Sequence, residues 1–151
     1  MMFNERTIYK KLVLKVSANE IWDCWTTETG LRSFFCPDCS VELKIGGKYE
    51  IYFISENEYG HKGSEGCKVL SFVPERMFSF SWNAPPSIPT VRNHSHKAWV
   101  VVLINNIGNK TEVELFHLGF LKGSDWDETV DYFENAWDIV MQNLKQKFNN
   151  E

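Results

Sequence analysis

Between Thr7 and Val16, Leu12, Leu14 and Val16 share one face of the chain while Val13 and Lys15 fall on the other. A period of two predicts a strand with one face turned to a core. Lys10 interrupts that alternation, which puts an edge or an end of the strand there. Ser17 and Glu20 follow at the spacing of a capping box, in which each side chain takes up a free backbone N–H at a helix start. Val16 and Ile21 flank the cap as a hydrophobic staple, and Ile21, Trp22 and Trp25 supply an apolar face. Thr27 is placed to cap a second short helix, Glu28 to Phe35, before Pro37 ends it.

The middle of the chain carries strand patterns. Val41 to Ile45 leads into a Gly46-Gly47 turn, and Lys48 to Ser55 sets Tyr49, Ile51 and Phe53 on one face. A polar turn over Glu56 to Gly60 precedes a strand from Lys62 to Val73. Pro74-Glu75 turns the chain into Arg76 to Trp82, where Phe78, Phe80 and Trp82 alternate with Ser79 and Ser81. Asn83 to His96 holds Pro85, Pro86 and Pro89 and is expected as a loop. Lys97 to Ile104, a turn over Asn105 to Asn109, and Lys110 to Phe120 form a hairpin.

The last pattern has the helical period. Ser124 is the cap and Asp127 stands three residues on. Asp125, Asp127 and Glu128 suit the positive end of the helix dipole; Lys145 and Lys147 suit the negative end. Trp126, Val130, Phe133, Trp137, Val140, Leu144 and Phe148 recur at spacings of three and four, a stripe along roughly six turns. A stripe that long needs a large apolar partner, and only the sheet can be one. The predicted fold is α+β. A curved antiparallel meander of roughly six or seven strands wraps a long C-terminal helix, with two short helices after the first strand. Residues 1–151 are expected to form one such domain. A curled sheet and a straight helix cannot match along their whole length, so a gap between them is expected.

Composition narrows the functional classes. Aromatic residues reach 15%, with 6 Trp and 11 Phe, and large rings either fill cores or line cavities for apolar guests. The net charge of -4 and the lack of a basic run argue against nucleic-acid binding. No stretch approaches the ~20 apolar residues that span a bilayer. Met1 to Lys11 lacks the apolar block and cleavage site of a secretory signal, so a cytoplasmic location with reduced thiols is expected.

Several motifs together resemble a known family. They are Ile21-Trp22, Trp25-Thr26-Thr27, Gly30-Leu31-Arg32 and Phe34-Phe35, then Gly46-Gly47-Lys48-Tyr49. Gly66, Lys68-Val69-Leu70, Pro74-Glu75-Arg76 and Phe80-Ser81-Trp82 follow, and after them Thr111-Glu112-Val113, His117, Trp137 and Leu144. In order and spacing they resemble the activator of heat-shock-protein-90 ATPase-like family of the START-like (SRPBCC, birch-pollen-allergen-like) superfamily. That resemblance implies the helix-grip fold and a sheet–helix cavity for apolar or amphipathic small molecules. It also implies rivals. The named branch includes chaperone activators of the stress response, and other branches are cyclases or hydroxylase subunits. Small bacterial-type members resemble only the C-terminal domain of the eukaryotic activators.

Strand parity turns Tyr49, Ile51, Phe53, Phe78, Phe80, Trp82, Val113, Leu115 and His117 inward. Trp126, Phe133 and Trp137 face them from the helix, and Trp25 and Phe35 from the short helices. Singly these rings read as core; as a set they read as the lining of a pocket. His117 is either a hydrogen-bonded core histidine or a group that orients a ligand or acts as a base. With Glu65, if both face inward, it would be the best acid–base pair in the chain. Cys36-Pro37-Asp38-Cys39 has the Cys-x-x-Cys spacing but lacks the second pair of a structural zinc site. His94-Ser95-His96 could chelate but lies in a proline-rich loop. No cofactor is expected. The leading expectation is a small-molecule binding module without chemistry of its own, monomeric or homodimeric. The alternatives are a chaperone-interaction module and a cyclase- or hydrolase-type enzyme using His117 with Glu65.

Overall fold

The computed structural model describes residues 2–149. Among the described residues seven strands and four helices follow one another: β1 (Ile8–Leu14), α1 (Ala18–Thr26), α2 (Glu28–Arg32), β2 (Asp38–Val41), β3 (Tyr49–Tyr52), β4 (Val69–Val73), β5 (Met77–Trp82), α3 (Pro89–Arg92), β6 (Ala98–Ile107), β7 (Lys110–Leu118) and α4 (Ser124–Asn149). Five strands pair antiparallel in the order β1-β7-β6-β5-β4, and β2 pairs with β3. The two sheets meet where Gly46 N–H donates to Val69 O (2.8 Å), Val69 N–H to Gly47 O (2.9 Å) and Tyr49 N–H to Cys67 O (2.9 Å). The result is the helix-grip architecture, a curved antiparallel surface around one long helix.

Register explains the core. Ile8, His117, Val100, Phe80 and Val69 lie side by side across the five strands, and all are fully buried. The next row runs Lys10, Leu115, Val102, Phe78 and Phe72. Lys10 therefore sits on the helix-facing side of the edge strand. Its ammonium reaches Glu134 (3.0 Å) and Asp138 (2.8 Å) of α4, while Arg6 reaches Asp131 (2.8 Å). The break in alternation at Lys10 thus marks where the sheet edge meets the polar flank of the helix. On its apolar flank α4 buries Trp126, Val130, Phe133, Trp137, Val140, Met141 and Leu144.

The short helices form as their caps dictate. Ser17 and Glu20 make the reciprocal capping box, and Thr27 Oγ1 accepts from Gly30 N–H at 2.9 Å. Gly30 is required by close approach: a Cβ there would lie 2.1 Å from Asp23 O in α1. The second helix stops at Arg32, short of Phe35, because Phe34, Phe35 and Cys36 donate back to Leu31 O in a tightened turn.

Several boundaries differ from expectation. The long strand from Lys62 to Val73 is only β4, Val69–Val73. Residues 53–68 instead loop over β3, with isolated bridges from Gly63 to Tyr52 and from Lys68 to Lys48 just before the strand. A side chain at Gly63 would put its Cβ 2.0 Å from Ile51 O, and the loop amides turn to Glu65 instead of a ladder. β2 ends at Val41, before the Gly46 turn, and β6 runs on to Ile107, leaving only Gly108-Asn109 as the hairpin turn. The proline-rich loop contains α3, with Pro89 in its first turn, where no N–H is needed.

Two substitutions separate the forces holding α4. Leu144→Ala, at a fully buried position, should lower unfolding free energy in urea by about 2–5 kcal/mol at any ionic strength. Lys10→Ala should cost less than about 1 kcal/mol, and that loss should shrink in high salt.

Candidate ligand cavity

A cavity of about 890 Å³ lies between the middle of α4, the loop over residues 53–64 and the turn after β5. Its rings form a connected wall. Trp82 and Trp137 have centroids 5.5 Å apart, Phe35 lies 5.8 Å from each, and Phe53 packs 5.7 Å from Phe35. Phe133 completes the wall on the helix, 6.4 Å from Trp137. Apolar side chains continue outward to the mouth, where Ile54 is 47% and Ile139 64% exposed.

Of the residues expected to line a pocket, Phe35, Phe53, Trp82, Phe133 and Trp137 are brought to this cavity. Trp25, Tyr49, Ile51, Phe80, Val113 and Leu115 are packed in the core away from it. Tyr49 OH donates to Trp25 O at 2.8 Å, tying α1 to β3. Trp126 and His117 border a much smaller space beside the cavity. Much of the lining has no counterpart in the expected set: Ile54, Asn57, Glu58, His61 to Ser64, Asn83 to Pro86, Tyr132, Ala136, Ile139, Val140 and Asn143. One signal for the helical part was present. Tyr132, Ala136 and Ile139 form a second row beside Phe133, Trp137 and Val140, so the apolar stripe widens in mid-helix.

One buried ion pair holds two walls together. Glu65 accepts from the amides of Gly60, Lys62 (2.8 Å) and Gly63 (2.7 Å), and from Arg92 Nη2 (3.3 Å). Arg92 also donates to Ala84 O (2.6 Å) and Gly60 O (2.8 Å), so a single guanidinium joins the 53–64 loop to the turn after β5. Burial pushes the Glu65 pKa up, but the loop amides outweigh it and hold the carboxyl below its ordinary value. Glu65 thus serves as an anchor for backbone.

His117 has different partners. Its Nδ1 accepts from Trp137 Nε1–H at 3.0 Å, and its ring packs 4.6 Å from Phe120 and 4.9 Å from Phe133. It is fully buried, and burial lowers its pKa to about 3. An imidazole so placed stays neutral at physiological pH. His117 and Glu65 are spent on separate networks, and no bond between them forms an acid–base dyad.

The other candidates are also occupied. Cys36 and Cys39 are buried, with Sγ 3.8 Å from Leu31 O and Glu28 O respectively. Burial pushes Cys36 up to about 12 and raises Cys39 as well, so neither is a ready thiolate. His94 Nδ1 accepts from His96 N–H (2.9 Å), and His96 Nε2 contacts Gly119 O (2.7 Å). Among the described residues no group of three or more His, Cys, Asp or Glu is placed to hold a metal ion. Nor is any helix among them long and apolar enough to cross a membrane.

The buried imidazole makes stability depend on pH. Its pKa is lower folded than unfolded (~6.5), so the unfolded chain binds the extra proton and acid favours unfolding. The contribution is complete above about pH 6.5 and is lost as pH falls from there toward about 3. Between pH 7 and pH 5 it should remove about 2 kcal/mol of unfolding free energy. Denaturant titrations of wild type and His117→Phe at the two pH values should differ in pH dependence by that amount.

Comparison with known proteins places this architecture. A profile of the family described as "Activator of Hsp90 ATPase homolog 1-like protein" matches residues 15–149. No curated protein matches the chain. A Mesorhizobium loti protein of known structure superposes with a TM-score of 0.76, at 16% identity, over 96% of this chain and 98% of that one. The Aha1 dimer from Colwellia psychrerythraea gives 0.70 at 18% identity, covering 95% and 96%. An HSP90 activator from Plasmodium falciparum gives 0.68 at 16%, covering 92% and 93%. At these identities the structural likeness is one of fold. The family profile spans most of the chain, and the chain belongs to the activator of Hsp90 ATPase homolog 1-like family, within the START-like helix-grip superfamily.

Proposed function

We propose that this chain is a binding module that holds an apolar or amphipathic small molecule between α4 and the 53–64 loop, without chemistry of its own. The observation that supports it is the cavity: about 890 Å³, walled by Phe35, Phe53, Trp82, Phe133 and Trp137. Ligand sites run to roughly 300–1,000 Å³ and are mainly apolar with a few polar groups. Here the polar groups stand at the loop side, at Asn57, Glu58, His61 and Lys62. An amphipathic guest fits that arrangement, with its apolar body against the rings and its head among the loop side chains. Ile54 and Ile139 at the mouth stay exposed at a cost that a bound guest would relieve.

An environment-sensitive hydrophobic fluorophore tests the reading. It should bind wild type at micromolar concentration. Ala136→Trp, on the cavity wall, should weaken binding by about tenfold or more while far-ultraviolet circular dichroism stays unchanged. Absence of wild-type binding, or equal binding by the folded variant, would sink it.

A second reading has its own support, and the comparisons favour it over the first. The family is described after an activator of Hsp90 ATPase, and one similar structure is that of an HSP90 activator from Plasmodium falciparum. On this reading the exposed apolar rim contacts a heat-shock-protein-90-type chaperone. Adding the chain should then raise the chaperone's steady-state ATPase rate, and Ile139→Asp should reduce the effect. No rate change at a several-fold molar excess would count against it.

A further inference from the structure

A second, much smaller space of about 10 Å³ adjoins the cavity, bordered by His117, Phe120, Trp126 and Thr129. The two spaces share Trp82, Asn83, Ala84 and Phe133, so those residues stand between them. We propose that this space is the inner end of the ligand site, and that His117 Nε2–H there receives a single neutral oxygen, the carbonyl of an otherwise apolar guest. The inference rests on the ligand-binding reading above and specifies what kind of guest it takes.

The hydrogen positions follow from one bond. A neutral imidazole has one donor and one acceptor nitrogen. Trp137 Nε1 can only donate, and it does so to His117 Nδ1 at 3.0 Å. Nδ1 is therefore the acceptor, and Nε2 carries the hydrogen. That nitrogen is sealed from solvent and, among the described residues, has no acceptor. Buried donors in folded proteins are almost always matched, so an unmatched one on a residue that borders a space points to an acceptor supplied from that side. Trp137 also lines the large cavity, so the residue that fixes the tautomer is one the guest touches.

Size and charge select the acceptor. A space of about 10 Å³ holds about one water-sized group, so it takes the polar end of a guest and not its body. Lys97 also borders it, but its ammonium is held by Asn83 Oδ1 (3.2 Å) and Arg92 O (2.5 Å). His117 itself brings no charge. A neutral carbonyl satisfies the donor without carrying an anion into a site lined by aromatic rings. Because His117 has no exposed surface, a guest reaches Nε2 only by turning aside Trp82 or Phe133, the two aromatic side chains among the residues shared by both spaces.

Three nine-carbon probes test this by displacement of the bound fluorophore: 2-nonanone, nonane and nonanoate. In wild type 2-nonanone should bind about five- to tenfold more tightly than nonane, as expected for one net hydrogen bond. In His117→Phe that advantage should vanish while the affinity for nonane remains. Because the variant strands Trp137 Nε1–H and could fail to fold, a second measurement uses wild type alone. In long-range ¹H–¹⁵N spectra, 2-nonanone should shift the His117 Nε2–H resonance and nonane should leave it in place. Equal binding of 2-nonanone and nonane overturns the inference and leaves the cavity reading standing. Tighter binding of nonanoate than of 2-nonanone also overturns it, by showing selection for an anion. If neither the fluorophore nor any probe binds, the cavity reading fails and takes the inference with it.

Discussion

Trp137 belongs at once to the core and to the wall of the cavity. Its indole is nearly fully buried, touches Phe35, Trp82 and Phe133, and donates its one hydrogen to His117 in the middle row of the sheet. Apolar contact by itself lets a helix roll or slide on a sheet, since dispersion has no direction. The Trp137–His117 bond has direction and fixes α4 in rotation and register. Strand register had already set His117 between Ile8 and Val100. The helix side of the groove is set by this pairing of one strand residue with one helix residue.

Around that hinge point the two surfaces diverge. Toward the N-terminal part of α4, Trp126 and Val130 close on Phe120 and the sheet with almost no space left. At mid-helix the 53–64 loop takes the place of a regular strand and stands away from the helix. Loops seldom keep such a shape unaided, because their backbone groups need partners. Here Glu65 collects the amides on one side and Arg92 reaches carbonyls on the other. A buried ion pair is weak as a source of net stability, but removing either partner leaves a charge stranded. Its role is to specify one loop conformation. The acidic member of the candidate acid–base pair has its oxygens taken up by loop amides and Arg92.

The two functional readings draw on different features of one object. The ring-lined interior suits a small guest, whereas family membership and the exposed rim suit a protein partner. A guest that filled the cavity would also cover part of the rim formed by Ile54 and Ile139, so the two modes compete for the same apolar surface. That overlap is a physical link between them, and it makes the rim the place where they can be told apart.

Periodicity alone was enough for most of the elements, their order and the fold class, though it missed α3 and overran β4. The alternation of Phe78, Phe80 and Trp82, the capping box at Ser17 and the stripe from Trp126 to Phe148 are local patterns, and local physics decides them. Strand parity turned Tyr49, Ile51, Phe78, Phe80, Trp82, Val113, Leu115 and His117 inward, and all are buried, whereas Phe53 lies past the end of β3 and is 45% exposed. It could not tell core from cavity, because Tyr49 and Trp82 both point inward and only the distance between helix and sheet separates them. Nor could it see the 53–68 loop, whose shape depends on Arg92, 27 residues beyond Glu65. Contacts distant in sequence leave no period to read, so the groove's walls, the tautomer of His117 and the separation of His117 from Glu65 were decided by tertiary packing.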